Sequence, residues 1–376
     1  MIKAEIVAHS LSPQGDELIS VLCTFPRIIL AEVNTHRMLS KNTSSSRAIP
    51  FKKMVKAVEE NPFIPIAWQK EHKGMQGSEY IIDNLSIQNL NNQWLKGRDE
   101  AIKVAQGLNK GAYTLEVAKD EQGNIMRGFT LVEIPNTSVT KQLCNRLLEP
   151  FMWTTMLITG SKEGWDNFFH LRCPDYIFHD EHNEYHFKSK KDVITKFGES
   201  EWVEDGFDKP LKNLTELDWL HLNKGQAEIH MMALSEAIYD AVNESTPKQL
   251  KAGEWHIPFA IEITDLYIKN KGYVPETEIP IDEFVKISTA MAAHTSYTIV
   301  GGEAVKSYEK WIELHDKLIA YDPPHSSPME HCAKAMNDAE YESFYKGQIG
   351  LGGESGWCNN LKGFIPYRYF IDNNLI

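Results

Sequence analysis

The sequence lacks the features that mark several classes of protein. Its 376 residues carry a net charge of −13, whereas a surface that grips DNA or RNA needs a basic face to neutralise phosphates. No apolar run approaches the roughly 18 residues of a membrane helix, and residues 1–5 do not show the basic-then-apolar pattern of a signal peptide. The five cysteines are scattered and odd in number, which argues against a disulfide framework. We therefore expect a cytoplasmic protein that engages neither a membrane nor a nucleic-acid polymer.

The rest of the composition is that of an ordinary globular protein, 42% hydrophobic and 24% charged. A chain of this length can bury a large core, and we predict that residues 1–376 form a single elaborated domain. Residues 173–224 change character, since histidines and acidic residues crowd together and a mixed-charge stretch follows. We predict an insertion there, part of it ordered. The spacing of His179, His182 and His186 is not that of a structural zinc site, so no metal is predicted.

Hydrophobic periodicity and turn residues predict a mixture of strands and helices. Residues 4–8 and 18–22 alternate like strands and are joined by the turn-forming residues 12–16. Helices are predicted over residues 27–39, 51–61, 90–108, 226–242, 282–296 and 304–318, with a further helical region over 138–157 that is interrupted near Pro150. The glycines after residue 346 have neither standard phosphate-loop spacing. This mixture predicts an α+β fold.

Residues 31–48 concentrate short polar side chains between two arginines. The hydroxyls and amides of residues 40–46 compete with helical backbone and favour caps and turns. Arg37 and Arg47 bracket them with guanidinium forks that suit phosphate or carboxylate. Two interpretations follow: a polar helix end with a Ser-rich loop, or a site that offers many donors to one anionic ligand.

The pair His36-Arg37 and the seven-residue spacing to Ser45 resemble the signature of flavin-dependent thymidylate synthases, which is Arg-His-Arg, seven residues and then Ser. Two residues depart from that signature. Thr35 stands where it has its first Arg, and Glu32 where a Gln usually precedes it. The resemblance favours the interpretation as an anion site, provided that the rest of the chain supplies the other parts.

A second block resembles the same family. Residues 145–150 are similar to its Arg-x-x-Leu-Pro, and residues 167–172 to its Asn-Phe-x-x-Leu-Arg. Glu149 and Ser161 depart from the family, which has Leu and Asn at those positions. Arg172 follows an apolar run, so we expect it to be part-buried and to need an anionic partner.

A third block resembles the family but stands out of order. Residues 292–296 are similar to Ala-Ala-Arg-x-Ser, and residues 325–331 to His-x-Ser-Pro-Phe-Glu-His. In ordinary members both precede the Arg-His-Arg segment, so we interpret the chain as a circular permutation, which is feasible because domain termini often lie close together. Residues 225–229 resemble Ala-Gln-x-Glu-Ile, which makes 173–224 a loop expansion. The alternative for residues 326–328 is a plain turn.

The resemblance implies a fold and a set of roles. The fold would be an antiparallel-rich sheet packed by helices, with permuted chain order. Arg172 would be catalytic, by stabilising charge on the pyrimidine. The substrate-binding residues would be Glu32, Thr35, Thr43, Ser44, Ser45, Ser46, Arg47 and Arg146, the last reaching over from another subunit. The cofactor-binding residues would be His36, Arg37, Asn42, Ser161, Asn167, His325, Ser327 and Glu330.

The implied reaction is FAD-dependent transfer of a one-carbon unit from methylenetetrahydrofolate to C5 of dUMP, giving dTMP. NADPH would reduce the flavin, and the family's homotetramer shares each site between chains. Thr35 and Glu32 leave the substrate open, since a carboxylate accepts from the cytosine amine. Methylation or hydroxymethylation of dUMP or dCMP for modified DNA, in a phage and hence in a host cytoplasm, is the alternative.

Two further possibilities concern the chemistry itself. A nucleotide-binding protein that has lost catalysis is the alternative from another class, because Thr35 and Ser161 replace family residues. A thiolate attack on the ring would need an activated cysteine. Cys173, next to Arg172, is the one cysteine whose position suggests it.

Overall fold

The computed structural model describes residues 1–74, 77–122, 125–199, 210–272, 280–298, 307–346 and 353–375. Part of the predicted insertion (200–209), the start of one predicted helix (304–306) and most of the glycine-rich tail (347–352) lie outside the described residues. Within them, no helix is both long enough and apolar enough to span a membrane.

Short strands form several small sheets around one larger sheet. In chain order the strands are β1 (Lys3–Leu11), β2 (Glu17–Pro26), β3 (Ser40–Thr43), β4 (Tyr113–Lys119), β5 (Ile125–Glu133), β6 (Trp153–Ser161), β7 (Tyr176–His179), β8 (Glu184–Phe187), β9 (Lys248–Gln249), β10 (Trp255–His256), β11 (Ala333–Ala335), β12 (Tyr345–Lys346), β13 (Glu354–Ser355), β14 (Trp357–Cys358), β15 (Leu361–Lys362) and β16 (Phe364–Pro366). The largest sheet has the order β3-β6-β2-β1-β9.

That largest sheet is antiparallel except at one edge. The inner strand β2 pairs antiparallel with both β1 and β6, and β3 pairs antiparallel with β6. Only β9, at the edge, runs parallel to its neighbour β1. The turn between β1 and β2 closes at Gly15, whose φ of +90° lies in the left-handed region that glycine adopts without strain. The prediction of an α+β fold with antiparallel strands is confirmed.

The part of the chain that the structure describes also contains α-helices, some of which cover the two faces of this sheet. They are α1 (Leu30–Val33), α2 (Phe51–Glu60), α3 (Asn84–Lys110), α4 (Lys141–Arg146), α5 (Lys162–Arg172), α6 (Lys190–Phe197), α7 (Glu216–Leu222), α8 (Ile229–Glu244), α9 (Ala260–Lys271), α10 (Ile281–His294), α11 (Tyr308–Ala320), α12 (Asp338–Ser343) and α13 (Tyr367–Asp372). The 3-10 turns are Arg27–Ile29, Glu149–Phe151, Leu211–Asn213, Thr295–Tyr297 and Ser327–Glu330.

The two faces bury separate apolar cores. On β6, Leu157 belongs to one core, whereas Met156 and Ile158 belong to the other, because successive side chains of a strand point to opposite faces. Helices α5 and α8 cover one face, and α9, α10 and α11 cover the other. The strands therefore hold the residues at their ends in a rigid frame.

Two predicted helices are wrong in extent. The helix predicted over 27–39 ends at Val33, and the chain then turns into strand β3. In the region 138–157, only Lys141–Arg146 is α-helical, and the strand β6 begins at Trp153. A short apolar run cannot be assigned from periodicity alone. The threonines at the start of β6 are β-branched, which favours a strand.

The other predicted helices are confirmed within a few residues, and residues 304–306 of the last one lie outside the described part of the chain. Helix α3 begins earlier than predicted because Asp83 caps it, accepting a hydrogen bond from the Ser86 amide at 2.8 Å. The described residues of the predicted insertion at 173–224 form regular structure. Its hairpin β7–β8 and helices α6 and α7 enclose an apolar cluster of their own, which includes Phe178 and Trp219.

Candidate functional site

The turn after α1 is held by the ammonium group of the half-buried Lys41. Lys41 Nζ donates to the carbonyl oxygen of Val33 at 3.2 Å and to that of His36, and a cation is favourable beside the carbonyls at a helix C-terminus. Burial lowers the pKa of Lys41 to about 8. These two hydrogen bonds from Lys41 fix the backbone conformation at His36.

His36 is bonded to the predicted catalytic arginine. Arg172 Nε donates to His36 Nε2 at 3.0 Å, and the His36 ring meets Phe168 edge-on with 4.8 Å between centroids. Burial, together with the charges of Arg172 and Lys41, lowers the pKa of His36 to about 4. The imidazole is therefore neutral at pH 7, which lets its Nε2 accept from a guanidinium that has only donors.

The two residues that depart from the signature lie at the same arginine. Thr35 Oγ1 lies 3.4 Å from Arg172 Nη2, and Glu32 Oε2 lies 3.9 Å from Arg172 Nη1. The Arg172 side chain is 23% exposed, so it is part-buried with an anionic partner, as the apolar run before it predicts. Burial raises the pKa of Glu32, as does the nearby Glu228, while Arg172 opposes the rise. Glu228 belongs to the motif at 225–229, so this motif also comes close to the site.

The Ser-rich segment lies against the late block. Ser44 Oγ donates to the Thr298 carbonyl oxygen at 2.9 Å, and the Ser45 amide donates to that of Ser296 at 2.9 Å. Asn42 Nδ2 donates to a further carbonyl of this block at 3.1 Å, 250 residues away along the chain. The block at 292–296 therefore lies beside the 40–46 segment.

Two residues that sequence reasoning missed support the same loop. The fully buried Asn145 donates through Nδ2 to the carbonyl oxygens of Ser46 at 2.7 Å and Ile49 at 3.0 Å. Arg27 Nη1 donates to the Ser44 carbonyl at 2.9 Å, and its Nε lies 3.1 Å from Glu149 Oε1. The sequence gives one signal for Arg27, which is Glu149. This residue is a carboxylate where the family has Leu, and a carboxylate there needs a cation.

The remaining predicted site residues differ in how accessible their side chains are to a ligand. Exposed side chains belong to Arg37, Arg47, Arg146, Asn167 and His325, and half-buried ones to Thr43, Ser327 and Glu330. The buried hydroxyl of Ser161 accepts from the Lys362 amide at 2.7 Å. Arg146 follows Asn145, beside the Ser-rich loop of its own chain. Among the described contacts, none joins His325 or Ser327 to Arg172.

A pocket of about 270 Å³ opens between β3, the Ser327–Glu330 turn and the C-terminal segment. Its lining residues are Ser40, Glu330, Asn359, Asn360, Leu361, Pro366, Arg368 and Asp372. Arg368 pairs with Glu330, and its Nε lies 3.1 Å from Asp372 Oδ2. Asn360 Nδ2 donates to the Arg37 carbonyl at 3.0 Å. Of the predicted flavin residues, Glu330 lines this pocket and Arg37 adjoins its wall.

A buried polar chain crosses the sheet beside this pocket. His331 Nδ1 bonds Thr159 Oγ1 at 2.8 Å, which bonds Ser20 Oγ at 2.6 Å. Ser20 Oγ bonds His256 Nε2 at 2.8 Å, whose Nδ1 bonds Ser10 Oγ at 2.9 Å. Burial lowers the pKa of both histidines to about 3. Two neutral histidines thus tie the segment after Glu330 to the strands.

Replacing His256 with glutamine is expected to flatten the pH dependence of stability. Burial lowers the pKa of His256 from 6.5 to about 3. As pH falls below about 6.5, the imidazole therefore takes up a proton in the unfolded chain but not in the folded chain, and the free energy of unfolding decreases. The loss amounts to about 1.4 kcal/mol per pH unit for one proton, and the variant lacks it. Urea unfolding at several pH values between 6.5 and 4.5 measures the slope. The exposed His182→Gln variant should keep the wild-type slope, and equal slopes for both variants would contradict the argument.

The cysteines do not offer a nucleophile. All five are free and buried, and burial raises the pKa of each thiol. For Cys173 the pKa rises to about 12, despite a 3.0 Å contact between its Sγ and Ser235 Oγ. A thiolate at neutral pH is therefore disfavoured at the position next to Arg172.

No family model and no curated protein matches the chain. The solved structures that are similar to it include two of the UMP/dUMP methylase PolB from Streptomyces cacaoi. The structure bound with 5-Br UMP covers 46% of this chain and 77% of that chain, at 13% identity and a TM-score of 0.32. The structure bound with 5-Br dUMP covers 52% and 86%, at 12% identity and a TM-score of 0.32. At this level of similarity neither structure bears on what this chain does.

Proposed function

We propose that this chain transfers a one-carbon unit to C5 of a pyrimidine deoxynucleotide, as a circularly permuted relative of the flavin-dependent thymidylate synthases. The observation that supports the proposal is the hydrogen bond between Arg172 and His36, which lie 136 residues apart. Ser44 and Ser45 likewise bond to the block at 292–298. Segments that the resemblance requires to meet are in contact, although two of them come from opposite ends of the chain.

The nucleotide phosphate would bind at the Ser-rich turn. The Ser45 carbonyl accepts from the Ala48 and Ile49 amides at 3.0 and 3.1 Å, which closes the turn. The turn leaves the Arg47 guanidinium exposed beside the half-buried Ser45. A guanidinium and neighbouring hydroxyls are strong partners for phosphate. Arg146 of another subunit would add a second cation, as the resemblance implies.

Arg172 would act on the pyrimidine ring through its two terminal nitrogens. Its Nε is taken by His36 at 3.0 Å, whereas the contacts of Nη2 with Thr35 and of Nη1 with Glu32 are long, at 3.4 and 3.9 Å. The N–H groups of the two terminal nitrogens can therefore donate to a carbonyl oxygen of the pyrimidine ring, and only weak contacts are given up. Donors aimed at an oxygen where negative charge develops stabilise the transition state.

The residues near this site fit FAD in part. Exposed or half-buried polar side chains remain at Arg37, Asn167, His325 and Ser327, and a guanidinium and amides suit a pyrophosphate and the polar edge of a flavin. The side chains of His36, Asn42, Ser161 and Glu330 are used within the protein, so they would shape the site. When bound, FAD would supply the electrons for the transfer. Methylenetetrahydrofolate and NADPH complete the proposal as co-substrates, and a homotetramer with shared sites is part of it.

Glu32 favours a second candidate substrate, dCMP. Its carboxyl lies 3.9 Å from Arg172 and its side chain is 39% exposed, so the group is partly withdrawn from water, and this burial raises its pKa. An acceptor next to the pyrimidine arginine would suit the amine at C4 of cytosine, where uracil has a carbonyl. Our first choice remains dUMP with dTMP as product, because Arg172 supplies the donors that a uracil carbonyl needs.

Tritium release from C5-labelled nucleotides tests the proposal. The purified protein is incubated with FAD, methylenetetrahydrofolate and NADPH, and with labelled dUMP or dCMP. We expect release from dUMP and a product whose mass has gained a methyl group. Release from dCMP alone would select the cytosine nucleotide, and a heavier product would indicate hydroxymethyl transfer. A colourless protein that binds nucleotide without releasing tritium would overturn catalysis and leave a nucleotide-binding chain.

A further inference from the structure

The pocket beside Glu330 is built by three segments that meet only in the folded chain. Ser40 begins β3, Glu330 ends a 3-10 turn, and the other lining residues belong to the segment 359–372. This segment is fixed against the start of the chain, because Asn360 Nδ2 donates to the Arg37 carbonyl at 3.0 Å. Residues 359–372 belong to none of the blocks that resemble the family, so the resemblance gives them no role.

Polar groups in the lining are left free for a ligand. Ser40 is only 6% exposed, yet its hydroxyl makes no hydrogen bond to another residue of the described chain. A buried hydroxyl needs a partner, and because Ser40 lines the pocket, a bound molecule would supply one. The amide of Asn359, in the turn between β14 and β15, is also without a partner among the described residues.

The charges of the pocket disfavour an ionic ligand of either sign. Arg368 pairs with Glu330, and its Nε lies 3.1 Å from Asp372 Oδ2. The two carboxylates repel an anion such as phosphate, and the guanidinium between them repels a cation. Leu361 and Pro366 add apolar wall. The lining therefore suits an uncharged ring with a polar edge.

The size and the hydrogen-bonding groups of the pocket narrow the choice of ring. Its volume of about 270 Å³ lies just below the roughly 300–1,000 Å³ of pockets for drug-sized ligands, so it suits one ring system and not a whole nucleotide. Carboxylate and amide oxygens supply most of the lining groups, and these accept hydrogen bonds. The ring should therefore carry an amine. A side-chain amide such as that of Asn359 is the bidentate partner of adenine, since it accepts from the N6 amine and donates to N7.

We propose that this pocket binds the adenine base of a nucleotide and leaves the phosphate outside. The Asn359 amide pairs with N6 and N7 of the base, and the Ser40 hydroxyl bonds a further ring nitrogen. The exposed Arg37, whose carbonyl is held by the pocket wall, takes the phosphate. Adenine binding here is independent of the proposed reaction, because Arg172 and the Ser-rich turn are not part of the pocket.

Adenosine tests the base site without a phosphate and without any substrate of the proposed reaction. Its dissociation constant is measured by ligand-observed NMR titration of the full chain. Asn359→Asp removes the amide donor and should raise the dissociation constant about tenfold. The matched control is Asn374→Asp, an exposed position outside the pocket lining. Both asparagines have a left-handed φ, of +54° and +52°, which Asp tolerates as Asn does. The control should stay within about twofold of the wild type, and equal binding by the two variants would overturn the pocket.

A second variant removes a single hydroxyl. Ser40→Ala changes the volume little and should weaken adenosine binding about fivefold. It keeps the test open if Asn359→Asp unfolds, which circular dichroism would reveal. Uridine lacks the amine and should not displace adenosine. A wild type that does not bind adenosine, or one from which uridine displaces it equally well, would contradict the assignment of the base.

The adenine has two possible sources, a free nucleotide or the adenine end of a dinucleotide. AMP should bind more tightly than adenosine, and Arg37→Ala should remove that gain while adenosine binding is unchanged. Displacement of adenosine by FAD but not by FMN, which lacks adenine, would assign the pocket to a dinucleotide. Displacement by AMP but not by FAD would assign it to a free nucleotide. Displacement by FMN as strong as that by FAD would show that adenine is not what the pocket recognises.

Discussion

Replacing Arg172 with lysine is expected to lower kcat for tritium release about 100-fold to 1000-fold, the loss typical of removing one donor to a developing oxyanion. The guanidinium donates through Nε to His36 at 3.0 Å while its terminal nitrogens remain near Thr35 and Glu32. A lysine ammonium is a point charge that cannot make the lateral bond and also present a planar fork. The measurement is the steady-state rate with dUMP, and with dCMP if that proves to be the substrate.

The matched control is Arg98→Lys, which changes an arginine of α3 that pairs with its neighbour Asp99. It should keep the wild-type kcat. Under the proposed function, the flavin spectrum of Arg172→Lys should be unchanged, since Arg172 is proposed to act on the pyrimidine. A wild-type kcat in Arg172→Lys would remove the residue from the mechanism. A loss of flavin with Arg172→Lys would show that it holds the cofactor instead.

Replacing Phe168 with alanine is expected to lower the free energy of unfolding by about 3–5 kcal/mol. The ring is fully buried, with centroid distances of 5.8 Å to both Trp165 and Phe169 and 4.8 Å to His36. The cavity left behind would remove packing from the core and from the edge of the His36 ring. Urea unfolding measures the loss.

Leu171→Ala in the same helix is the control, because Leu171 is 52% exposed and surface changes usually stay within about 0.5 kcal/mol. Phe168→Ala should also lower kcat in the fraction that remains folded, since His36 positions Arg172. Equal losses of stability in the two variants would contradict the packing described for Phe168.

Much of the framework is readable from local patterns. The alternation at residues 4–8 and 18–22 and the turn-forming residues 12–16 predict the hairpin of β1 and β2, and the structure extends both strands. The apolar run before Arg172 predicts a part-buried cation with an acidic partner, and Glu32 lies 3.9 Å away. Such inferences hold because burial and turn geometry depend mostly on neighbouring residues.

The failures occur where the chain pairs with distant residues. Residues 34–43 look like a helix end and a loop, yet Ser40–Thr43 is a strand because it pairs with β6. Residues 153–157 are predicted as part of a helical region, yet they belong to a strand that pairs with both β2 and β3. Pairing with a strand more than 100 residues away overrides a weak local preference.

The sequence by itself determined the residue types: a guanidinium after an apolar run, hydroxyls between two arginines, and a His-x-Ser-Pro block at residues 325–328. Only the tertiary structure decided that Arg172 bonds His36, that Asn145 and Arg27 hold the Ser-rich loop, and that C-terminal residues wall the pocket beside Glu330. The physical reason is that a hydrogen bond forms only when the donor–acceptor distance is right within about half an ångström and the angle at the hydrogen is close to straight. Those quantities are set by sheet register and helix packing over the whole chain, which no single segment encodes.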